Sequence, residues 1–182
     1  MPDSLLLLQA IAFAADKHRD QRRKDKEASP YINHPIAVAL LLAQIGAVTD
    51  EEVLAAAILH DTLEDTATTP EELELRFGPR VRRIVAEVTD DKSRPADVRK
   101  QLQIDHARDL SPEAVLVKLG DKTANILDVT HSPPKHWSTE RKAAYLDWAE
   151  SVVRACPNVN AALEENFYRA LAEARRTLLS EG

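Results

Sequence analysis

Two histidines and two aspartates set the chemistry open to this chain: His34, the adjacent pair His60-Asp61, and Asp121. Each lies in or beside an apolar helical stretch, where an isolated ionised carboxylate is costly to bury. Such side chains are therefore paired with opposite charge or bound to metal. Two imidazoles with two carboxylates make a mixed N/O donor set, which suits a divalent transition metal better than a structural zinc–thiolate site. His60 and Asp61 end the nearly all-apolar run from Val53 to Leu59. Neighbouring helical residues point about 100° apart, so both reach one ion only where that ion sits between helices. The alternative is a His and an Asp that merely cap a helix C-terminus, a place where the helix dipole disfavours Asp.

Glu64 and Asp65 follow four residues after His60 and Asp61, one turn further along roughly the same faces. Acids one turn beyond metal ligands can act as general bases or orient a water. Read in isolation they also fit a solvated helix end. Asp121 and Asn125 share a face of the apolar stretch from Val115 to Leu127. A carboxylate and an amide there need partners, either a metal with a bound phosphate or a Lys or Arg from a neighbouring helix. His34, alone, reads as a cap beside Pro35 and gains meaning only as a member of the set.

Arg22-Arg23-Lys24 places three cations shortly before His34. Arg offers bidentate contacts and Lys a point charge, a combination suited to a polyphosphate; a solvated basic loop is the plainer reading. Arg141, Tyr145 and Trp148 recur at helical spacing. That stripe fits core packing, and Tyr145 with Arg141 also fits stacking on a purine.

The elements that must position these residues are helical. Ser4 is expected to cap a first helix to about Arg19, with a polar loop from Asp20 to Asn33. Pro35 sits in the first turn of a second helix that stops at Gly46. Asp50 caps a third helix to about Leu63, and Thr69-Pro70-Glu71-Glu72 forms a capping box. That box starts a short helix to Phe77-Gly78, and Pro79 opens another to about Thr89. Further helices are expected from Pro95 to about Leu110, from Ser111 through Asp121, from Thr139 to Ala155 and from Pro157 to Leu179. No run reads as a strand, and no repeat or linker divides the chain.

Composition bounds the reading. With 182 residues, one domain is expected, burying roughly 70% of the unfolded chain's surface. A net charge of −6 argues against nucleic acid as a partner but not against an anionic small molecule met by local cations. The lone Cys156 can form neither an intrachain disulfide nor a thiolate metal site, which fits a reducing, cytoplasmic setting. The apolar runs are far short of the ~20 residues a membrane span needs, and no signal peptide is visible.

The order His, His-Asp, Asp resembles HD-domain phosphohydrolases. The surrounding text is more specific. Arg23-Lys24, Tyr31-Ile-Asn-His-Pro35, Leu59-His-Asp-Thr-Leu-Glu-Asp-Thr66, Phe77-Gly78, Val88-Thr-Asp-Asp-Lys92 and Lys118-Leu-Gly-Asp-Lys-Thr-Ala-Asn125 are similar to the hydrolase domain of RelA/SpoT-type proteins. The likeness is greatest to the small stand-alone alarmone hydrolases, from about Leu5 to Glu165.

The resemblance implies an all-α chain, a single compact HD-type bundle of about eight to ten helices over residues 1–182. It implies Mn2+ held by the residues matching His34, His60, Asp61 and Asp121, with Glu64 and Asp65 handling the attacking water. Arg23, Lys24, Asn125, Arg141 and Tyr145 match positions that line the substrate pocket. The implied activity removes the 3′-pyrophosphate of guanosine tetra- and pentaphosphate, (p)ppGpp, without synthetase activity. Oligomeric state stays open.

Two departures stand out. Ala96 occupies a position where relatives carry a Lys that helps bind the 2′-phosphate of NADPH, and Gly120 stands where Ala is familiar. Two other readings remain: an HD phosphohydrolase of another nucleotide, such as NADPH or a nucleoside 5′-monophosphate, and a non-catalytic alarmone-binding module.

Overall fold

The computed structural model describes residues 5–180, so the expected cap at Ser4 lies outside the described residues. In chain order the α-helices are α1 Leu5–Lys17, α2 Asn33–Gln44, α3 Glu51–Leu59, α4 Thr62–Asp65, α5 Pro70–Val88, α6 Ala96–His106, α7 Pro112–His131, α8 Thr139–Ala155 and α9 Ala161–Ser180. A 3-10 turn, Ala107–Asp109, links α6 to α7. The described residues contain no strand beyond one isolated antiparallel bridge between Arg22 and Pro30. No described helix is long and apolar enough to cross a membrane.

Local chemistry explains most boundaries. The Asp50 carboxylate accepts the Glu52 and Val53 amides at 3.0 and 3.4 Å, satisfying two donors that the first turn of α3 leaves open. Thr69 accepts the Glu72 amide at 3.2 Å and Ser111 the Ala114 amide at 3.3 Å, each ahead of a Pro in the first helical position. Gly78 takes φ 88° and bends α5. The two helices expected around Gly78-Pro79 are therefore the two arms of one kinked element, because Pro79 has no amide to continue the ladder.

The third helix is not continuous to Leu63. α3 ends at Leu59, and α4 restarts at Thr62 after a turn at His60-Asp61. The Thr62 hydroxyl donates to the Leu59 carbonyl at 2.7 Å, taking an acceptor that the helix end exposes. The last helix begins at Ala161 rather than Pro157, because the Asn160 side chain accepts the Leu163 amide at 3.1 Å and sets the cap there.

Two helices form the centre. Every residue of α3 from Val53 to Leu59 is buried, and α3 packs on α1, α2, α5 and α7. α7 packs on α2, α3, α5, α8 and α9. At Gly120 the approach of α2 is so close that a Cβ would lie 2.4 Å from Leu42 Cδ1 and 3.0 Å from Val38 Cγ1. The buried end of α3 and the middle of α7 are thus fixed by packing, and they carry His60-Asp61 and Asp121.

Candidate active site

The four expected metal ligands converge. His34 from α2 and His60 from the α3–α4 turn are 4% and 5% exposed. His34 Nε2 lies 3.2 Å from Asp121 Oδ1 and 3.9 Å from Asp61 Oδ2. His60 Nε2 lies 3.0 Å from Asp61 Oδ2 and 3.7 Å from Asp121 Oδ1. Donors bound to one ion at roughly 2.1 Å cannot be more than about 4.2 Å apart, and each of these separations meets that limit. Ligand atoms of His34, His60 and Asp121 all fall within 4.8 Å of one another, and Asp61, outside that tight group of three, joins it through the two imidazoles.

The orientation also fits a cation. The His60 Nδ1–H donates to the Ala57 carbonyl at 2.8 Å, which turns Nε2 toward the cluster. That Nε2 makes no well-aligned hydrogen bond among the described residues, its nearest acceptor being Asp61 Oδ2 at 3.0 Å, and a metal lodged between the two would satisfy both. Burial alone would lower the His60 pKa, but Asp61 and Asp121 outweigh it and raise it to about 10. Burial works against the charge on Asp61 too, yet His60 and His34 hold its carboxyl well below the usual range. Asp121 is likewise held low, against burial, by Lys122 and both imidazoles. The cluster therefore attracts positive charge strongly.

Partners fix the carboxylates. The Tyr31 hydroxyl donates to Asp61 Oδ2 at 2.6 Å, and burial beside Asp61 keeps that phenol protonated. Asn125 Nδ2 donates to Asp121 Oδ1 at 2.6 Å, and Lys122 Nζ reaches Asp121 Oδ2 at 3.2 Å. The Lys partner of Asp121 thus comes from its own helix, not from a neighbouring one. His18 stacks on Tyr31 at 4.8 Å between centroids and is itself held by Gln21 at 2.6 Å.

Glu64 and Asp65, on α4, face the same space. Glu64 and the four clustered side chains line an inner cavity of 350 Å³. Burial raises the Glu64 carboxyl above its ordinary range, helped by Asp90, Asp61 and Asp65 and opposed by the Asp90 amide, which donates to Glu64 Oε2 at 3.1 Å. Asp65 pairs with Lys92, and its carbonyl accepts from Gln21 Nε2 at 2.6 Å.

An outer cavity of 270 Å³ adjoins the inner one along Lys24, Tyr31, Asp65, Asn125 and Tyr145. Arg22 and Arg23 contribute cations and Trp137 an aromatic face. Arg23 pairs with Asp128 and donates to Asn125 Oδ1 at 3.3 Å. Tyr145 packs between Trp137 and Trp148 at 5.5 and 5.4 Å. Arg141 is exposed and sits 4.8 Å over the Trp137 ring, so it meets the cavity through Trp137 and is not on its wall.

Several side chains escaped the reading of the sequence. Tyr31 was visible only as part of a motif, with no role. Lys118 and Lys122 are 7% and 4% exposed. Their signal was present: Lys118, Asp121, Lys122 and Asn125 fall at i, i+3, i+4 and i+7, a polar stripe on an apolar helix. Asp90 was visible only within the Val88–Lys92 motif, and Arg99 and Gln103 had no comparable signal, because they meet the site from a helix that looks merely polar.

A model of the HD domain matches residues 10–147. The chain is 54% identical over 159 residues to human "Guanosine-3′,5′-bis(diphosphate) 3′-pyrophosphohydrolase MESH1", covering 87% of this chain and 89% of the relative. It is 45% identical over 161 residues to the MESH1 of Drosophila melanogaster, covering 88% and 90%. A solved structure described as "A metazoan ortholog of SpoT hydrolyzes ppGpp and plays a role in starvation responses" superposes with a TM-score of 0.91 at 43% identity, covering 96% of this chain and 97% of that one. The protein belongs to the HD-domain family, within the group of the MESH1 proteins.

Proposed function

We propose that the protein hydrolyses the 3′-pyrophosphate of (p)ppGpp, with Mn2+ held by His34, His60, Asp61 and Asp121, and that residues 1–182 act as one domain in the cytoplasm. One observation carries this reading. A buried cluster in which His34 Nε2 and His60 Nε2 both face Asp61 and Asp121 lies beside a raised carboxyl, Glu64, and opens onto a cavity lined by cations and aromatic rings. The matched relatives bear the name of this activity.

A metal held by His34, His60, Asp61 and Asp121 would supply Lewis acidity, lowering the pKa of a water and adding positive charge beside the phosphoryl oxygens. Glu64, kept basic by burial, takes the water's proton, and Asp65 helps orient that water. The water oxygen bonds to the phosphorus next to the ribose 3′-oxygen. The bond from that phosphorus to the 3′-oxygen breaks, and the proton returns to the ribose. The products are GDP or GTP and pyrophosphate. Arg23 and Lys24 meet phosphate charge, Asn125 contacts the ligand from α7, and Tyr145 with Trp137 offers faces to the guanine. Arg141 supports this from outside by fixing Trp137.

Metal-stripped protein incubated with ppGpp tests the reading, with products separated by chromatography. GDP and pyrophosphate are expected only after Mn2+ is added. Asp61→Ala should lose both bound manganese and turnover. An intact ppGpp pool in the presence of Mn2+ would overturn the reading and move attention to NADPH or a binding role.

A further inference from the structure

A third cavity, of 420 Å³, lies beyond the inner one, between the end of α5, α6 and α7. It shares Val88, Asp90, Gln103 and Lys118 with the inner cavity. It shares no wall residue with the outer cavity. The three spaces therefore lie in sequence: outer, inner, then side.

The side cavity holds buried donors whose capacity is only partly used among the described residues. Lys118 Nζ is buried and reaches only the Val88 carbonyl, at 3.3 Å, so two of its three protons lack a partner among the described residues. Arg99 Nε is buried without a partner among the described residues, and Arg99 Nη1 forms an ion pair with Glu64 Oε1 at 3.7 Å, longer than a hydrogen bond. The nearby acids each accept a hydrogen bond from another group. Glu87 accepts the Ser111 amide at 2.8 Å, Asp91 accepts Ser93 and Arg94 at 2.6 and 3.2 Å, and Asp90 accepts Gln103 Nε2 at 2.7 Å. Gln103 Oε1 is left as a buried acceptor without a partner among the described residues. Buried polar groups of this kind ordinarily find a partner. A phosphoryl group supplies oxygens for Lys118 and Arg99 and, when singly protonated, a P–OH for Gln103.

We propose that the side cavity is the subsite for the distal phosphoryl group of the 3′-diphosphate, and the place the pyrophosphate occupies as it leaves, with Lys118 and Arg99 as the residues that select a diphosphate over a monophosphate. This rests on the function proposed above. With the nucleoside in the aromatic outer cavity and the reacting phosphorus at the acid–imidazole cluster, the second phosphorus extends away from the ribose, and the side cavity is the space on that side. The P–O–P bridge stays intact throughout; only the bond to the ribose 3′-oxygen breaks.

The test compares ppGpp with guanosine 5′-diphosphate 3′-monophosphate on the manganese-loaded full chain, using wild type, Lys118→Met and Arg99→Lys. A charge-assisted contact supports roughly a 10- to 100-fold change. Each variant is expected to lose about that factor more in kcat/KM for ppGpp than for the 3′-monophosphate. An equal loss on both substrates overturns the proposal, since a merely structural role moves both. Calorimetry with pyrophosphate needs no turnover and so separates this proposal from the activity itself. Binding to wild type that weakens about tenfold or more in Arg99→Lys, with manganese content unchanged, supports the subsite even if neither substrate is cleaved. An unchanged Kd overturns it, and Arg99→Lys decides the matter if Lys118→Met does not fold.

Discussion

The inner and outer cavities share a wall but are held by different forces. The inner one is built from the end of α3, from α4 and from α7, where apolar packing leaves His34, His60 and Lys122 almost no exposed surface. Its side chains are set by short contacts inside the core, such as Tyr31 to Asp61 and Asn125 to Asp121, both at 2.6 Å. The outer one is built from connections. Arg23 N donates to Ser29 O at 2.8 Å and Tyr31 N to Gln21 O at 3.2 Å, closing the loop before α2. Lys135 N donates to Lys24 O at 3.2 Å and stitches the turn after α7 to that loop. A rigid core site suits chemistry that tolerates little displacement, and a loop-built site suits discrimination among ligands. Changes to the inner wall should therefore strike kcat and metal, and changes to the outer wall should strike KM.

The sharpest break is Glu64→Gln. Loss of the proton acceptor should lower kcat by about 10² to 10⁴-fold with metal content unchanged, measured by steady-state kinetics and elemental analysis. The sign with pH follows from burial. Glu64 is raised, so the base is lost as pH falls through that raised pKa. The wild-type rate should thus decline on the acid side at a higher pH than an ordinary Glu would give, and this limb should vanish in Glu64→Gln.

Tyr31→Phe tests the shared wall. It removes the 2.6 Å hydrogen bond to Asp61 while keeping the ring against His18. An outer-sphere loss of this type costs about 10- to 100-fold in metal affinity or activity, read by manganese titration. An effect confined to KM would place Tyr31 with the outer wall instead.

Lys24→Ala should raise KM about tenfold and reduce its dependence on ionic strength, leaving kcat nearly unchanged. A fall in kcat alone would erase the distinction between the two walls. The smallest effect is expected from Gly120→Ala. Helix propensity favours the change by about 1 kcal/mol, and crowding of Val38 and Leu42 opposes it by about 1–3 kcal/mol. A net loss of about 1 kcal/mol, seen as a lowered Tm, is expected, with little change in kcat.

Much of the frame was legible because it is local. Asp50, Thr69 and Ser111 cap helices where their types and the following Pro or Glu residues indicated. The break after Leu59 was not legible, because the apolar run gives no reason to stop; the Thr62 hydroxyl and the pull of His60 and Asp61 into one cluster end the helix there. The pairing of Arg23 with Asp128, 105 residues away, was equally invisible, since neither residue signals the other.

The sequence by itself determined an all-α chain, the caps at Asp50, Thr69 and Ser111, and a set of imidazoles and carboxylates on apolar elements that required a partner. These follow from interactions a few residues apart, in which side-chain type decides the outcome. Only the tertiary structure decided that His34 and Asp121, 87 residues apart, stand 3.2 Å from each other. It also decided that the space around them continues into two further cavities, one on either side. Those outcomes depend on how closely α2, α3 and α7 pack, which is set by the fit of side chains such as Leu42 against the bare face of Gly120.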